Sequence, residues 1–206
     1  MAEFVLKRGL SNVYIAEVTA DTEAEFTVGT PKKLIPAGEM SKTVDNESAL
    51  IWYDNGVFAT VGREGATEIS INGAGLRAAA RAYINGKMID EETGAVVDSG
   101  QFTEKYFALG GETEGTDGTK EYFWFMKGTF SIPDEADKTK DDSTDTNGTA
   151  LTYKAVATNH VFDKTKEVCK RVVIDTETTV LKADQIWHAQ VVTPENLATI
   201  CEKKTA

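Results

Sequence analysis

The stretch Glu121–Ile132, EYFWFMKGTFSI, decides the fold, because it is long, rich in aromatic residues and followed directly by Pro133. Aromatic residues are enriched in strands, and a proline cannot donate a hydrogen bond to a sheet. The linker EGTDGTK joins this stretch to a shorter one, Lys105–Leu109, and its Asp117-Gly118 pair is a strong hairpin signal. We therefore predict an antiparallel hairpin at the centre of the protein.

Most of the remaining chain also has the period of two that is typical of strands. In Thr67–Ile71, the two isoleucines fall on one face and the polar residues on the other, as in a half-buried strand. Further strands are predicted at Leu10–Val18, at Ala150–Phe162, and as a final pair at Lys170–Asp175 and Ile186–Val192. The sequence thus predicts a single, mainly β domain over residues 1–206.

One helix is predicted over residues 76–85, where the apolar residues recur with helical spacing and form a single stripe. Asn72 can cap its start, and Gly86 stands where a C-terminal cap belongs. A short closing helix is expected at Pro194–Ile200, with Thr193 as its cap.

Two segments fit neither period. Pro31–Arg63 is predicted to be a long loop, and loops of this length usually bind something. Residues 134–149, DEADKTKDDSTDTNGT, hold six acidic residues and no apolar residue except alanine, which predicts a flexible, solvated loop.

The composition excludes several classes of protein. The chain has 206 residues, of which 41% are hydrophobic and 27% charged, so it is neither disordered nor fibrous. Its net charge of −11 argues against general nucleic-acid binding and against docking on an anionic membrane. No apolar run is long enough to span a bilayer.

The start of the chain, MAEFVLKRGL, lacks the apolar stretch of a signal peptide, so we expect synthesis in the cytoplasm. In that compartment Cys169 and Cys201 are expected to be buried or half-buried thiols, although a disulfide between them stays open as an alternative.

No motif predicts an enzyme. The string Gly73–Ala78 has the G-x-G-x-x-A pattern of a dinucleotide site, but the preceding strand is amphipathic and the chain lacks strand–helix alternation. The aspartates of the acidic loop do not have the EF-hand spacing, although a loosely held cation stays open as an alternative. His160 and His188 lie in predicted strands, where packing is their expected role. We expect no catalytic residue, cofactor or metal.

The aromatic residues of Glu121–Phe130 are expected to form core, although a ligand platform stays open as an alternative. The segment Trp52–Asn55, WYDN, gives a hint of a protein–protein interface from the residues themselves. Its two aromatic residues lie in the predicted long loop beside polar residues. Loop aromatics that cannot reach the core usually bury themselves against another chain. We therefore expect Trp52, Tyr53, Asp54 and Asn55 to contact another subunit.

An ordered series of segments resembles a known family. GLSNVYIAEV (9–18), VGTPKKLIPAG (28–38), YDNGV (53–57), EGATEISI (64–71) and YFALG (106–110) are similar to segments of the major tail proteins of long, non-contractile phage tails. So are TDGTK (116–120), KGTFSIP (127–133), KTKDDSTDTNGT (138–149), KRVVIDTE (170–177) and AQVVTPENL (189–197). This resemblance is to the family of phages and prophages of Gram-positive bacteria and covers nearly the whole chain.

The resemblance implies a structural protein. Proteins of this family are tail tube subunits, in which a β-sandwich or partial barrel with a flanking helix forms hexameric rings that stack into a hollow tube. The long early loop, here residues 31–63, is then expected to reach the adjacent ring. The partners implied are further copies of the chain, a tape-measure protein, a tail terminator and the baseplate or distal tail proteins. The location implied is the virion tail, assembled in the host cytoplasm.

DNA is expected to pass through such a tube without specific binding. An acidic channel repels phosphates, whereas a basic one holds them. We expect polar positions of the long strands to face the channel, namely Glu121, Lys127, Thr152 and Lys154. The alternative function is that of a β-sandwich binding module, secreted or displayed on a surface.

Overall fold

The computed structural model describes residues 5–100, 103–131, 148–182 and 187–204. It is mainly β, which confirms the predicted fold class. The strands are β1 (Lys7–Asp21), β2 (Phe26–Val28), β3 (Lys32–Lys33), β4 (Ala37–Tyr53), β5 (Gly56–Ala74), β6 (Met88–Ile89), β7 (Val96–Val97), β8 (Phe107–Gly115), β9 (Lys120–Phe130), β10 (Gly148–Val156), β11 (Val161–Phe162), β12 (Glu167–Val168), β13 (Arg171–Asp175), β14 (Thr179–Leu181) and β15 (Cys201–Lys203). The helices are α1 (Ala78–Ile84) and α2 (Leu197–Ile200).

The predicted central hairpin is confirmed as β8 and β9. Its turn contains Gly118, with a φ of +84° that suits glycine. The large sheet runs β2-β1-β8-β9-β10-β5-β4, with antiparallel pairing throughout. On its far side from β8, β9 pairs first with β13 and then with β10. The sheet therefore branches at β9.

The first core lies between two parts of this sheet. Strands β1, β8 and β9 face β10 and β5, and β4 comes back into contact with β1 without pairing to it. The result resembles a sandwich or partial barrel, with α1 packed on the core through Ile84. The largest side chains of this core are Phe107, Phe123, Phe125, Phe130 and Tyr153.

The second core covers the opposite face of β8, β9 and β13. Trp124 and Met126 of β9 point away from the first core and pack against Trp187 and Val192 of the C-terminal segment. Successive side chains of a strand alternate between its faces, so β9 contributes to both cores. This explains why almost every residue of Tyr122–Phe130 is buried.

The helix is confirmed but is shorter than predicted. It runs over Ala78–Ile84, and no side chain caps its first turn. Asn72 is not its cap, because it lies in β5 opposite Ala150. Gly86, at φ +63°, does follow the helix end.

Several expected elements differ from the structure in extent or in kind. The strand predicted at Ala150–Phe162 breaks after Val156, because the backbone amides of Asn159 and His160 turn to bind the carboxylate of Asp21. The acidic loop, which was predicted to reach residue 149, includes the first residues of β10; residues 132–147 lie outside the described part of the chain.

The C-terminal elements also differ from the prediction. Residues 187–192 form a turn and irregular chain rather than a strand, because Trp187, Val191 and Val192 cover the second core as a cap; β13 pairs with β9 instead. The closing helix is α2 alone, and the side chain of Asn196, which accepts from the amide of Thr193, holds the turn before it.

The predicted long loop, Pro31–Arg63, is wrong. It contains β3, β4 and the first part of β5, and the two long strands form a hairpin that is paired from Ala37 to Gly73. The alternation of polar and apolar residues is weak here because most of the hairpin buries neither face, so side-chain burial does not impose it.

Candidate interaction surface

The hairpin of β4 and β5 projects beyond the body of the protein. β5 is supported by β10 only from Thr67 to Ala74, where the register ends at Ala155. From there to the turn, β4 and β5 pair only with each other among the described residues. Seven residue steps separate Asn46 from Tyr53, so at roughly 3.4 Å per residue the arm extends by roughly 24 Å. We call residues 46–64 the arm.

The turn at the end of the arm has two residues. Tyr53 pairs with Gly56, and between them Asp54 and Asn55 have φ values of +48° and +63°. Two consecutive left-handed residues define the type I′ turn that matches the twist of a hairpin, and Asp and Asn adopt this conformation more easily than most residues. The predicted contact residues Asp54 and Asn55 therefore form the turn itself.

The outer part of the arm exposes large apolar side chains. Trp52 is 60% exposed, Tyr53 63% and Phe58 74%, and the rings of Tyr53 and Phe58 meet edge to face at 5.2 Å. The neighbouring exposed residues are Leu50, Ile51 and Val57. A patch of this kind marks an interaction site, and a two-stranded ribbon is marginally stable without further packing. We call these six residues the arm tip.

Both faces of the arm tip are apolar. Trp52 and Tyr53 are consecutive in β4, so their side chains point to opposite faces of the ribbon. A partner that covered only one face would leave the other aromatic ring in water. The chemistry of the tip therefore suits a partner that encloses it.

An ion pair holds the base of the arm. The ammonium of Lys170 pairs with Glu64 and also donates to the carbonyl oxygen of Gly65, at 3.0 Å. The hydrogen bond from Lys170 lowers the pKa of Glu64. These contacts tie the arm to the segment before β13.

Two of the four residues predicted to face a channel share one surface. Thr152 and Lys154 of β10 point away from the first core, opposite to Leu151 and Tyr153. Lys154 lies beside Glu68 of β5 in the sheet register. This face of β10 and β5 is polar and open to solvent.

Lys127 lies elsewhere. It lies in a bulge of β9, its side chain is only 11% exposed, and its ammonium is 2.6 Å from the carboxylate of Asp21, which is 5% exposed. The ammonium also lies over the ring of Tyr106 at 4.7 Å. Lys127 is therefore buried and paired, whereas Thr152 and Lys154 lie on a face that is open to solvent.

The fourth residue, Glu121, is half-buried on the side of the first core. It pairs with Lys7 at 2.7 Å and with Arg171 at 3.1 Å. Its position on the edge of the core separates it from Thr152 and Lys154. The sequence did not reveal this separation, because the bulge in β9 changes which residues share a face.

The Asp21 carboxylate joins three elements. It accepts hydrogen bonds from Lys127 and from the backbone amides of Asn159 and His160. Burial alone would raise the pKa of Asp21, but these hydrogen bonds outweigh it and hold the pKa below its ordinary value. We call Asp21, Lys127 and the two amides the Asp21 clip.

The two histidines lie outside strands, contrary to the prediction, and both pack against neighbours. The Nδ1 atom of His160 is 3.0 Å from the carbonyl oxygen of Glu23. The ring of His188 stacks on Tyr14 at 4.4 Å, and burial lowers its pKa although Glu112 opposes the shift. Packing therefore accounts for the position of each histidine.

The cysteines are confirmed as half-buried free thiols. Burial raises the pKa of Cys169 and of Cys201. Neither thiol is activated as a nucleophile, because a reactive cysteine needs a lowered pKa.

The first glycine of the G-x-G-x-x-A string, Gly73, serves strand packing. Gly73 lies in β5 between Ala37 and Thr149, and a Cβ atom at this position would come within 2.5 Å of the carbonyl oxygen of Pro36. The described residues contain no group of three potential metal ligands; the aspartates of the acidic loop lie outside them.

Comparison with protein-family models and with curated proteins gave no match. Among the residues placed by the structure, no helix is long and apolar enough to cross a membrane.

Proposed function

We propose that this protein is a structural subunit that assembles with copies of itself into stacked rings, as the tail tube proteins that it resembles do. The observation that carries the proposal is the arm, whose tip exposes aromatic side chains on both faces. An arm that extends by roughly 24 Å can reach past the body of its own protomer. Its natural target is a neighbouring subunit.

An arm that inserts into a different surface of the next copy makes a head-to-tail contact. Contacts of this kind do not close on themselves as a two-fold dimer does, and they generate rings or filaments. The geometry thus suits a repeating assembly, in which each subunit contributes one arm and receives another.

The sheet also offers an edge for lateral contact. Among the described strands, β4 pairs only with β5, so its outer edge carries unpaired backbone donors and acceptors. An unpaired edge is an assembly site, and ring closure removes it. Lateral pairing through this edge would join the sheets of neighbouring protomers.

The polar face of β10 and β5 suits the wall of a channel for DNA. Thr152, Lys154 and Glu68 present hydroxyl, ammonium and carboxylate groups in alternation rather than a continuous basic strip. With a net charge of −11, the subunit repels phosphates more than it holds them. The proposed partners are a tape-measure protein, a tail terminator and baseplate proteins, and the proposed location is the virion tail.

Negative-stain electron microscopy of the concentrated protein, together with light-scattering mass, tests the proposal. We expect rings or hollow tubes, with tape-measure and baseplate proteins added if an initiator is needed. The variant Trp52→Ala/Tyr53→Ala should fold normally and lose stacking. The matched control is Met88→Ala/Val97→Ala, which removes an exposed cross-strand pair at the β6–β7 hairpin and should assemble normally.

The same experiment distinguishes the self-assembling subunit from the alternative function, a secreted or displayed binding module. A module would use the arm tip against a different protein and would stay monomeric at all concentrations, even with initiator. Unaltered assembly of the Trp52/Tyr53 variant would refute the role of the arm tip.

A further inference from the structure

A cavity at one end of the first core carries an unusual set of charges. It has a volume of about 150 Å³ and opens between β4 and β9. Its apolar wall consists of Met40, Ile69, Phe123 and Phe125, all of which belong to or pack on the first core. Its other side is charged. The combination of an apolar wall and a charged side is typical of a ligand site.

The charged residues occupy positions of the sheet that point towards the core. Lys42 is paired with Ile69, and Arg171 with Phe125, so each shares a face with a buried apolar residue. Glu121 is likewise paired with Thr113 at the cavity wall. Charge at core-facing positions is costly unless it is compensated.

The positive charges at the cavity are only partly neutralised by acidic groups. Lys7, Lys42 and Arg171 line the cavity, and Glu121 is the one carboxylate of the described residues among the lining groups. Glu121 uses its two oxygen atoms for Lys7 and Arg171. The local charge is therefore positive in a chain whose net charge is −11.

Two buried polar atoms at the cavity have no hydrogen-bond partner among the described residues. The Nε atom of Arg171 and the Oγ1 atom of Thr113 are buried without a hydrogen bond. Lys42 is an exposed residue beside them that forms no hydrogen bond or ion pair with the described chain, and its pKa is lowered, chiefly by partial desolvation and then by the charge of Arg171. Buried donors without acceptors are rare in folded proteins and call for an explanation.

We propose that this cavity binds an organic anion, a carboxylate on a short apolar or aromatic stem. The carboxylate takes the place of the missing acceptor between Lys42, Arg171 and Thr113, and the stem lies against the rings of Phe123 and Phe125. Arg171 already lies over these two rings, at 5.8 Å and 5.3 Å, which keeps its guanidinium in a fixed orientation. A carboxylate that accepts from a guanidinium forms one of the stronger hydrogen bonds in proteins.

Benzoate is a suitable probe, and benzamide is its neutral counterpart of equal shape. Titration of the full chain with benzoate should shift the Nε–H resonance of Arg171 in a saturable manner and give a calorimetric binding isotherm. The variant Lys42→Met should weaken binding at least tenfold. Lys154→Met, a lysine of the opposite sheet face, is the matched control and should bind within twofold of the parent.

A second variant keeps the proposal testable if Lys42→Met does not fold. Thr113→Val removes the hydroxyl that has no partner and should weaken benzoate binding by about fivefold, the effect of one hydrogen bond. The proposal is overturned if benzoate gives no saturable shift, if benzamide binds as tightly, or if neither Lys42→Met nor Thr113→Val weakens binding.

The carboxylate can belong to a free organic acid or to an acidic side chain of a second copy of this chain. Sedimentation with and without saturating benzoate distinguishes these two sources. If benzoate dissociates oligomers, the carboxylate comes from a second copy; if benzoate binds and association is unchanged, it comes from a free acid. Failure of benzoate binding would leave the role of the arm untouched, because the cavity and the arm tip share no residue.

Discussion

The Asp21 clip allows a quantitative test of what holds the β9 bulge in place. In the variant Asp21→Ala, the ammonium of Lys127 stays buried without its partner, and two backbone amides lose their acceptor. Breaking one side of a buried pair costs about 3–5 kcal/mol. For a chain of this size, that loss lowers the melting temperature by about 10 °C.

Urea unfolding followed by tryptophan fluorescence measures this loss. The matched control is Glu64→Ala, which breaks the ion pair with Lys170; there Glu64 is 61% exposed, so solvent screens the pair and the expected loss of stability is much smaller. An equal, small effect of both variants would refute our account of the clip.

A double-mutant cycle isolates the pair itself. Lys127→Ala leaves the carboxylate of Asp21 without its ammonium partner. The double variant Asp21→Ala/Lys127→Ala removes both charges, so neither is left unpaired. Its destabilisation should therefore fall about 2 kcal/mol or more short of the sum of the two single variants. Simple additivity would show that the contact at 2.6 Å contributes no coupling energy.

Three other predictions follow from burial and packing. Gly73→Ala should destabilise by about 1–3 kcal/mol because its Cβ meets the carbonyl of Pro36, whereas Gly62→Ala, with open space around it, should change urea stability little. Tyr153→Phe should cost about 1–2 kcal/mol in the same assay, since it removes the buried 2.7 Å hydrogen bond to the carbonyl of Phe107; stability equal to the parent would contradict this. The pKa of Asp21 in the folded protein lies below its ordinary value of 3.8. The carboxylate therefore contributes fully to the free energy of unfolding above that pH, and this contribution is lost as the pH falls towards the folded pKa. Acid unfolding curves of Asp21→Asn should accordingly be shallower than those of the parent.

Strong local patterns in the sequence predicted the fold class and its central hairpin. The turn at Asp117-Gly118 and the aromatic strand after it need no knowledge of the rest of the chain. The helix followed from its apolar stripe. These elements are specified by neighbours in the sequence, which explains why local patterns find them.

Long-range contacts decided the features that the sequence did not predict. The break after Val156 depends on Asp21, which is 138 residues away from Asn159 along the chain. Trp187 and Val192 are of residue types that are common in strands, but they cover the second core instead of joining a sheet. The local pattern of hydrophobicity predicts neither of these two features.

The candidate surface was found in part. Trp52 and Tyr53 were singled out as aromatic residues among polar neighbours, and they are exposed at the arm tip, although the arm is a hairpin and not a loop. The turn signal Asp54-Asn55-Gly56 was present and would have indicated the hairpin. The two strands of this hairpin lack an alternation of polar and apolar residues, because most of their length does not pack against the other described elements.

The sharing of β9 by two cores has a consequence for amide hydrogen exchange. Phe123 and Phe125 belong to the first core, while Tyr122 and Trp124 belong to the second, so neither core can open without exposing part of this strand. The amides of β9 should exchange only when the whole protein unfolds. The amides of the arm, which has no third strand beside it among the described strands, should exchange through local fraying. The protein thus combines a slowly exchanging centre with a rapidly exchanging projection, within one continuous sheet.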